Sequence, residues 1–243
     1  MAFSKKNLES LIQVSIQNGA SDVHMRSEEA PCLRIKGQLV PVQTKDFTYS
    51  DILDVFKILS KDEVSSIDEK DGAYEIEGLC RLRYNFFKYN SKAGIVLRII
   101  NTKVPTISEL NLPDTINDIC KQQRGLVLLT GATGSGKSTS LAAMINQINA
   151  TRAAHIITIE DPIEYLHQQN KSRISQREIG IDTKDFNSGL RSALRQDPDI
   201  ILIGEMRDPE TVSIALKAAE TGHLVLSTVH TTDAVNTIGR IMS

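Results

Sequence analysis

The run Gly131-Ala132-Thr133-Gly134-Ser135-Gly136-Lys137-Ser138 matches the pattern G-x-x-x-x-G-K-[ST] in full. Its chemistry is phosphate binding. Glycines reach backbone torsions that other residues resist, so successive N–H groups can wrap an anion. The helix that such a loop opens adds positive potential at its N-terminus. Lys137 supplies a cation for the β- and γ-phosphates, the Ser138 hydroxyl is a ligand for Mg²⁺, and Thr139 completes the nucleotide-binding stretch 131–139. A guanine-specific N-K-x-D element is missing: Thr183-Lys184-Asp185-Phe186 places its acid one position early. The expected nucleotide is therefore ATP.

Carboxylates form the second group. Ile200-Ile201-Leu202-Ile203-Gly204-Glu205 reads as a Walker B strand with an acid at its carboxyl end, where ligands of open sheets gather. Gly204 stands where an Asp is usual. Ser138 and water are then expected to carry Mg²⁺, with Glu205 behind the water. In Glu160-Asp161-Pro162-Ile163-Glu164 three carboxylates end another strand. Bringing them together is costly unless a cation is near, so we expect Mg²⁺ and a water there. Glu164 is placed to orient or deprotonate that water. His223 and His230 flank one strand, about 20 Å apart at about 3.3 Å per residue, too far to share a metal. His230 falls at the carboxyl end, where a γ-phosphate sensor belongs. His223 is left for a subunit contact.

These groups need a scaffold. Gly125–Thr130, His155–Glu160, Ile200–Ile203 and Leu224–Val229 are short continuous apolar runs, alternating with helical patterns. That arrangement predicts an α/β unit whose parallel sheet is covered on both faces. Leu141, Met144, Ile145 and Ile148 mark the helix after the glycine loop, and Pro209–Glu220 another that stops at Thr221-Gly222.

The first hundred residues read differently. Leu8, Leu11, Ile12 and Ile16 have helical spacing, with a stop at Asn18-Gly19. Residues 33–42 read as a hairpin turning at Lys36-Gly37. Ser50 is expected to cap a helix carrying Ile52, Leu53, Val55, Phe56 and Leu59. Alternation over 80–86 puts Arg81, Arg83 and Asn85 on one strand face and Cys80, Leu82, Tyr84 and Phe86 on the other. Gly94–Ile100 is a further strand bearing Arg98. Spacing alone makes these arginines a solvated face. Pro105 and Pro113 break the pattern, so a linker is expected over 101–112, with domains at 1–100 and 113–243.

Composition narrows the class. The chain of 243 residues has 28 Lys and Arg against 30 Asp and Glu, so a strongly basic nucleic-acid or membrane surface is disfavoured. No run approaches the roughly 20 apolar residues of a membrane span. Cys32, Cys80 and Cys120 are dispersed, which excludes a CxxC zinc or redox pair and fits buried, reduced thiols in a cytoplasm.

Four blocks in order resemble the type II/type IV secretion ATPase family, and within it the PilT-type pilus-retraction branch. They are the loop 131–138, Thr158-Ile159-Glu160-Asp161-Pro162-Ile163-Glu164-Tyr165, the stretch Asp199–Arg207, and Thr221–His230. Ala20-Ser21-Asp22-Val23-His24 and the stretch from Gln176-Arg177-Glu178 to Asp199 add to it. The resemblance implies a RecA-like P-loop core behind a smaller, α+β, PAS-like N-terminal domain, assembled as a homohexamer with ATP where two domains meet a neighbour. It implies Glu164 as general base, Glu205 at the magnesium and His230 at the γ-phosphate. Arg83 and Arg98, with Arg81 a further candidate, are implied to reach the nucleotide, so that hydrolysis drives domain rotation. The implied activity is ATP hydrolysis powering type IV pilus retraction and twitching motility, in the cytoplasm at an inner-membrane pilus platform, without nucleic acid or membrane insertion. A pilus-extension or type II secretion ATPase is the alternative, and a RecA-like nucleic-acid motor is less favoured. The family's large N-terminal extension and tetracysteine element are missing from this sequence, which favours retraction. The family continues past the position of Ser243 with a helical part, so the core is expected to be C-terminally incomplete.

Overall fold

The computed structural model describes residues 3–60, 67–100, 103–132 and 134–231, together with 237 and 239. Contacts divide the chain into two units, Met1–Thr102 and Lys103–Ser243. Thr133, and the expected linker's first residues Asn101 and Thr102, lie outside the described residues.

The first unit begins with α1 (Lys5–Gln17), started by a reciprocal cap: the Ser4 hydroxyl accepts from Asn7 N–H and the Asn7 side chain accepts from Ser4 N–H, both at 3.3 Å. Leu8 and Ile12 are fully buried, and Leu11 packs on the core's edge. Ile16, expected on the same stripe, is 37% exposed. Ser15 takes the buried position and satisfies its hydroxyl on Leu11 O at 2.7 Å. The strands β1 (Ala20–Arg26), β2 (Cys32–Ile35), β3 (Gln38–Pro41), β4 (Glu69–Ile76), β5 (Cys80–Tyr89) and β6 (Lys92–Ile100) form one antiparallel sheet, ordered β3-β2-β1-β6-β5-β4. Lys36 and Gly37 both take positive φ, the backbone a two-residue hairpin loop requires.

Helix α2 (Tyr49–Ser60) starts one residue before the expected cap. Thr48, not Ser50, does the capping: its hydroxyl accepts from Asp51 N–H at 3.2 Å, and Asp51 accepts from Thr48 N–H at 2.8 Å. Along β5 burial alternates as expected, with Cys80, Leu82, Tyr84 and Phe86 buried. The Phe56 ring of α2 lies 4.4 Å from Phe86 and 6.4 Å from Tyr84. Full burial of such side chains contributes on the order of 2 kcal/mol each.

In the second unit, α3 (Thr115–Cys120) precedes β7 (Gly125–Thr130), α4 (Lys137–Thr151), β8 (His155–Glu160), β9 (Arg173–Glu178), α5 (Phe186–Ala193), β10 (Ile200–Ile203), α6 (Pro209–Glu220) and β11 (Leu224–Val229). The five strands are parallel, ordered β7-β11-β10-β8-β9. Both faces are covered. Ile200 and Leu202 pack with Leu141, Met144, Ile145 and Ile148 of α4, while Ile201 and Ile203 pack with Leu190 of α5 and Ala215 and Ala218 of α6. A strand buried on both faces has no polar positions to alternate, hence the continuous apolar runs. The stretch 103–112, expected as linker, belongs to this unit: Ile107 is buried in the α4-side core, with Leu110 and Leu112 against it.

Cys80 and Cys120 are buried, and burial pushes both thiols up to about 11. Cys32, also expected to be buried, is only half-buried. No helix among the described residues is long and apolar enough to cross a membrane.

Candidate functional site

The glycine loop joins β7 to α4, and its three described glycines, Gly131, Gly134 and Gly136, all have positive φ. Gly136 is the N-cap of α4 at φ 89°, a torsion that a side chain would strain. Lys137 opens the helix. Its Nζ donates to Gly131 O and Ala132 O at 2.8 Å each, so the ammonium is held against the loop it belongs to. Ser138 is exposed, and Thr139 lies 3.3 Å through its Oγ1 from the Tyr165 hydroxyl.

At the carboxyl ends of β7, β8, β10 and β11 lies a cavity of about 490 Å³, within the roughly 300–1,000 Å³ of small-molecule sites. Gly134, Gly136, Lys137, Ser138 and Thr139 form one wall; Glu160, Asp161, Glu164 and Tyr165 another; Glu205, Arg207 and His230 a third. The parallel topology explains the convergence, because all four strands end on one side. Gly131, Ala132 and Ser135 belong to the loop but do not line the cavity, and Thr133 lies outside the described residues.

Glu205 follows β10 and is only 13% exposed through its side chain. It is held from both sides: Arg207 pairs with Oε1, and His230 Nε2 lies 3.3 Å from Oε2. A Cβ on Gly204 would come within 3.4 Å of Glu160 Cα and Ile159 O. That is ordinary contact distance, so the neighbouring end of β8 leaves room for a side chain where the usual Asp would stand.

The three carboxylates of the 160–164 stretch are not gathered as expected. Among the described residues, no group of three or more His, Cys, Asp or Glu could hold a metal ion. Glu160 turns toward its own sheet, accepting from Thr158 Oγ1 at 2.6 Å and Gln176 Nε2 at 3.2 Å. Burial pushes Glu160 up to about 7. Asp161 and Glu164 are exposed. His167 lines the same cavity, and burial lowers it to about 4, a neutral imidazole.

Other expected residues do not line this cavity. His223 Nδ1 donates to Ala218 O at 2.9 Å, closing the end of α6. Asp185 caps α5 by accepting Ser188 N–H at 2.7 Å, the use of the acid in the Thr183–Phe186 stretch. Arg83 and Arg98 are register partners on β5 and β6 of the first unit, and Arg98 Nε donates to the buried Asp22 at 3.0 Å. Arg207 was not singled out in the sequence, although an Arg two residues after a strand-end Glu is a readable signal for a clasped carboxylate.

The site fits a nucleotide triphosphate. A loop cation, exposed hydroxyls at a helix N-terminus and opposing carboxylates face one cavity, the donor set that phosphates and a hard cation take. A family model described as type II/IV secretion system protein matches residues 1–243. The chain is 46% identical over 237 residues to the type IV pilus retraction ATPase PilT of Pseudomonas aeruginosa, covering 96% of this chain and 69% of that one. It is 45% identical over 216 residues to a twitching motility protein of Neisseria gonorrhoeae, covering 87% of this chain and 58% of that one. The crystal structure of the pilus retraction motor PilT with bound ADP superposes with a TM-score of 0.87 at 42% identity, covering 96% of this chain and 69% of that chain. The chain thus spans between 58% and 69% of the lengths of these relatives. With the full-length family match, the α/β P-loop core of RecA-like type and the N-terminal unit before it, the chain belongs to the type II/IV secretion system family and is one of its ATPases.

Proposed function

We propose that the chain is the ATP-hydrolysing part of a hexameric type IV pilus retraction motor, working in the cytoplasm at an inner-membrane pilus platform. The observation that carries the hydrolytic reading is the single cavity in which Lys137 and Ser138 face Glu164, Glu205 and His230. The names of the relatives supply the pilus and its retraction.

Each residue then has a task. The loop N–H groups of 131–136 and the Lys137 ammonium bind and orient the β- and γ-phosphates, with Thr139 at the helix start. Lys137 exchanges its two carbonyl partners for phosphate oxygens. Ser138 and Glu205 would hold Mg²⁺, which when bound draws charge from the phosphoryl oxygens. Glu164, exposed and lining the cavity, takes up the water's proton. His230 stands beside Glu205 on the γ-phosphate side. Arg83 and Arg98 are assigned to the spreading charge of the transferring phosphoryl group. The antiparallel sheet with its two helices supports a PAS-like reading of the N-terminal unit.

Phosphate release from ATP against protein concentration, with Lys137→Ala as the blank, tests the reading. A rate per chain that climbs with concentration is expected of a site completed by neighbours. A rate equal to the blank at every concentration, with ATP bound, removes the hydrolytic proposal for this chain.

A further inference from the structure

The connection between β8 and β9, residues 161–172, carries Glu164 yet has no helix or strand of its own. Its backbone polar groups are satisfied largely by side chains. Gln176, half-buried on β9 opposite Thr158, makes three hydrogen bonds with one amide. Its Nε2 donates to Tyr165 O at 2.8 Å and to Glu160 Oε1 at 3.2 Å, and its Oε1 accepts from His167 N–H at 2.8 Å. Two positions along the strand, Glu178 Oε2 accepts from Ile163 N–H at 3.4 Å. The residues on both sides of Glu164, Ile163 and Tyr165, are therefore tied to β9. The Tyr165 hydroxyl, 3.3 Å from Thr139 Oγ1, ties the same stretch to the first turn of α4.

We propose that Gln176 is a positioning residue for Glu164: it holds the 164–167 backbone so that an otherwise exposed carboxylate stays at a fixed place over the loop end of α4. The chemistry requires such a hold. A base must sit within hydrogen-bond reach of the proton it takes, and displacement by about 1 Å can cost roughly a hundredfold in rate. Glu164 itself has an exposed side chain, so its placement must come from the backbone beneath it. An amide suits this position better than an acid, a base or a hydroxyl, since it must donate two hydrogen bonds, to Tyr165 O and Glu160 Oε1, and accept one from an N–H at once. The proposal rests on Glu164 being the base.

Gln176→Met, similar in volume but unable to hydrogen-bond, and Gln176→Ala test it in the 243-residue chain. Turnover at saturating ATP is expected to fall by roughly ten- to a hundredfold. Affinity for a non-hydrolysable ATP analogue is expected to stay within about twofold, because the phosphate loop is untouched. Amide hydrogen exchange at His167 is expected to accelerate. Adding Gln176→Met to Glu164→Gln is expected to slow turnover no further than Glu164→Gln alone. Unchanged exchange at His167, analogue affinity falling as far as turnover, or an additive double variant each overturns the proposal. If Glu164→Gln turns over at the parental rate, the base reading fails instead. The exchange experiment needs no turnover and decides the backbone tether by itself.

Discussion

Arg98 and Asp22 face each other across the β1–β6 ladder, with Arg98 Nε donating to Asp22 Oδ1 at 3.0 Å. The two are unequally exposed: the arginine side chain at 61%, the aspartate at 8%. The Asp of the Ala20–His24 motif is thus a buried carboxylate whose partner comes from the strand assigned to the nucleotide. Arg98→Ala is expected to destabilise the first unit by about 1–3 kcal/mol, since it strands a buried acceptor, while Arg98→Lys recovers part of it. Denaturant unfolding measures this. A loss of turnover without loss of stability in Arg98→Lys would separate a role at the phosphates from the pairing with Asp22.

Lys137→Ala is expected to weaken ATP binding by roughly ten- to a hundredfold, the range for charge-assisted hydrogen bonds. The folded core should be unaffected, because the ammonium's present partners are two carbonyls of an exposed loop. Calorimetric titration of ATP, alongside thermal unfolding, reads both.

Glu164→Gln should leave ATP affinity within about twofold and lower turnover by roughly 10²- to 10⁴-fold, the share of a positioned general base. Glu205→Gln differs: it loosens the clasp of Arg207 and His230 and should raise the Mg²⁺ concentration needed for half-maximal rate. Rates measured against Mg²⁺ at fixed ATP distinguish the two acids.

Stability against pH should expose two opposed groups in one cavity. His167 is lowered from 6.5 to about 4, so the unfolded chain binds its proton more readily, and stability falls as pH drops from 6.5 toward 4. Glu160 is raised from 4.5 to about 7, so its contribution is fully present below 4.5 and is lost as pH rises through 7. Between pH 4.5 and 6.5 the slopes oppose. Glu160→Gln should give stability rising with pH in that window, and His167→Gln stability falling, each approaching about 1.4 kcal/mol per pH unit. Denaturant midpoints at several pH values check both signs.

The parts of this molecule legible in the sequence are those where one residue type answers one physical demand. The core strands appear as apolar runs because β8, β10 and β11 are buried on both faces and β7 is half-buried along its length, and the glycine loop because positive φ admits little else. The strand β4, with Glu69, Lys70, Asp71 and Glu75 along a sheet edge, has no such signature. β9 is obscured in the same way by Arg173, Gln176, Arg177 and Glu178. At the site, Lys137, Ser138, Glu164 and Glu205 could be singled out and share one cavity. The tether by Gln176 could not be read, because it depends on which strand lies beside which. The carboxylates of 160–164 were misjudged for a related reason. Thr158 and Gln176 give Glu160 a hydrogen-bonded refuge on the sheet, and a list of acids does not show it.

The strand order has a consequence for synthesis. In the first unit most neighbours in the sheet are also neighbours along the chain, so pairing can begin as soon as a hairpin emerges. In the second unit β7, which carries the phosphate loop, pairs among the described residues with β11 alone, made roughly ninety residues later. Until Leu224–Val229 leaves the ribosome, the strand beneath the nucleotide loop has an unsatisfied ladder edge. A nascent chain arrested before Val229 should therefore carry a folded first unit and a phosphate loop without a floor. The ability to hold ATP arrives with β11 and all at once.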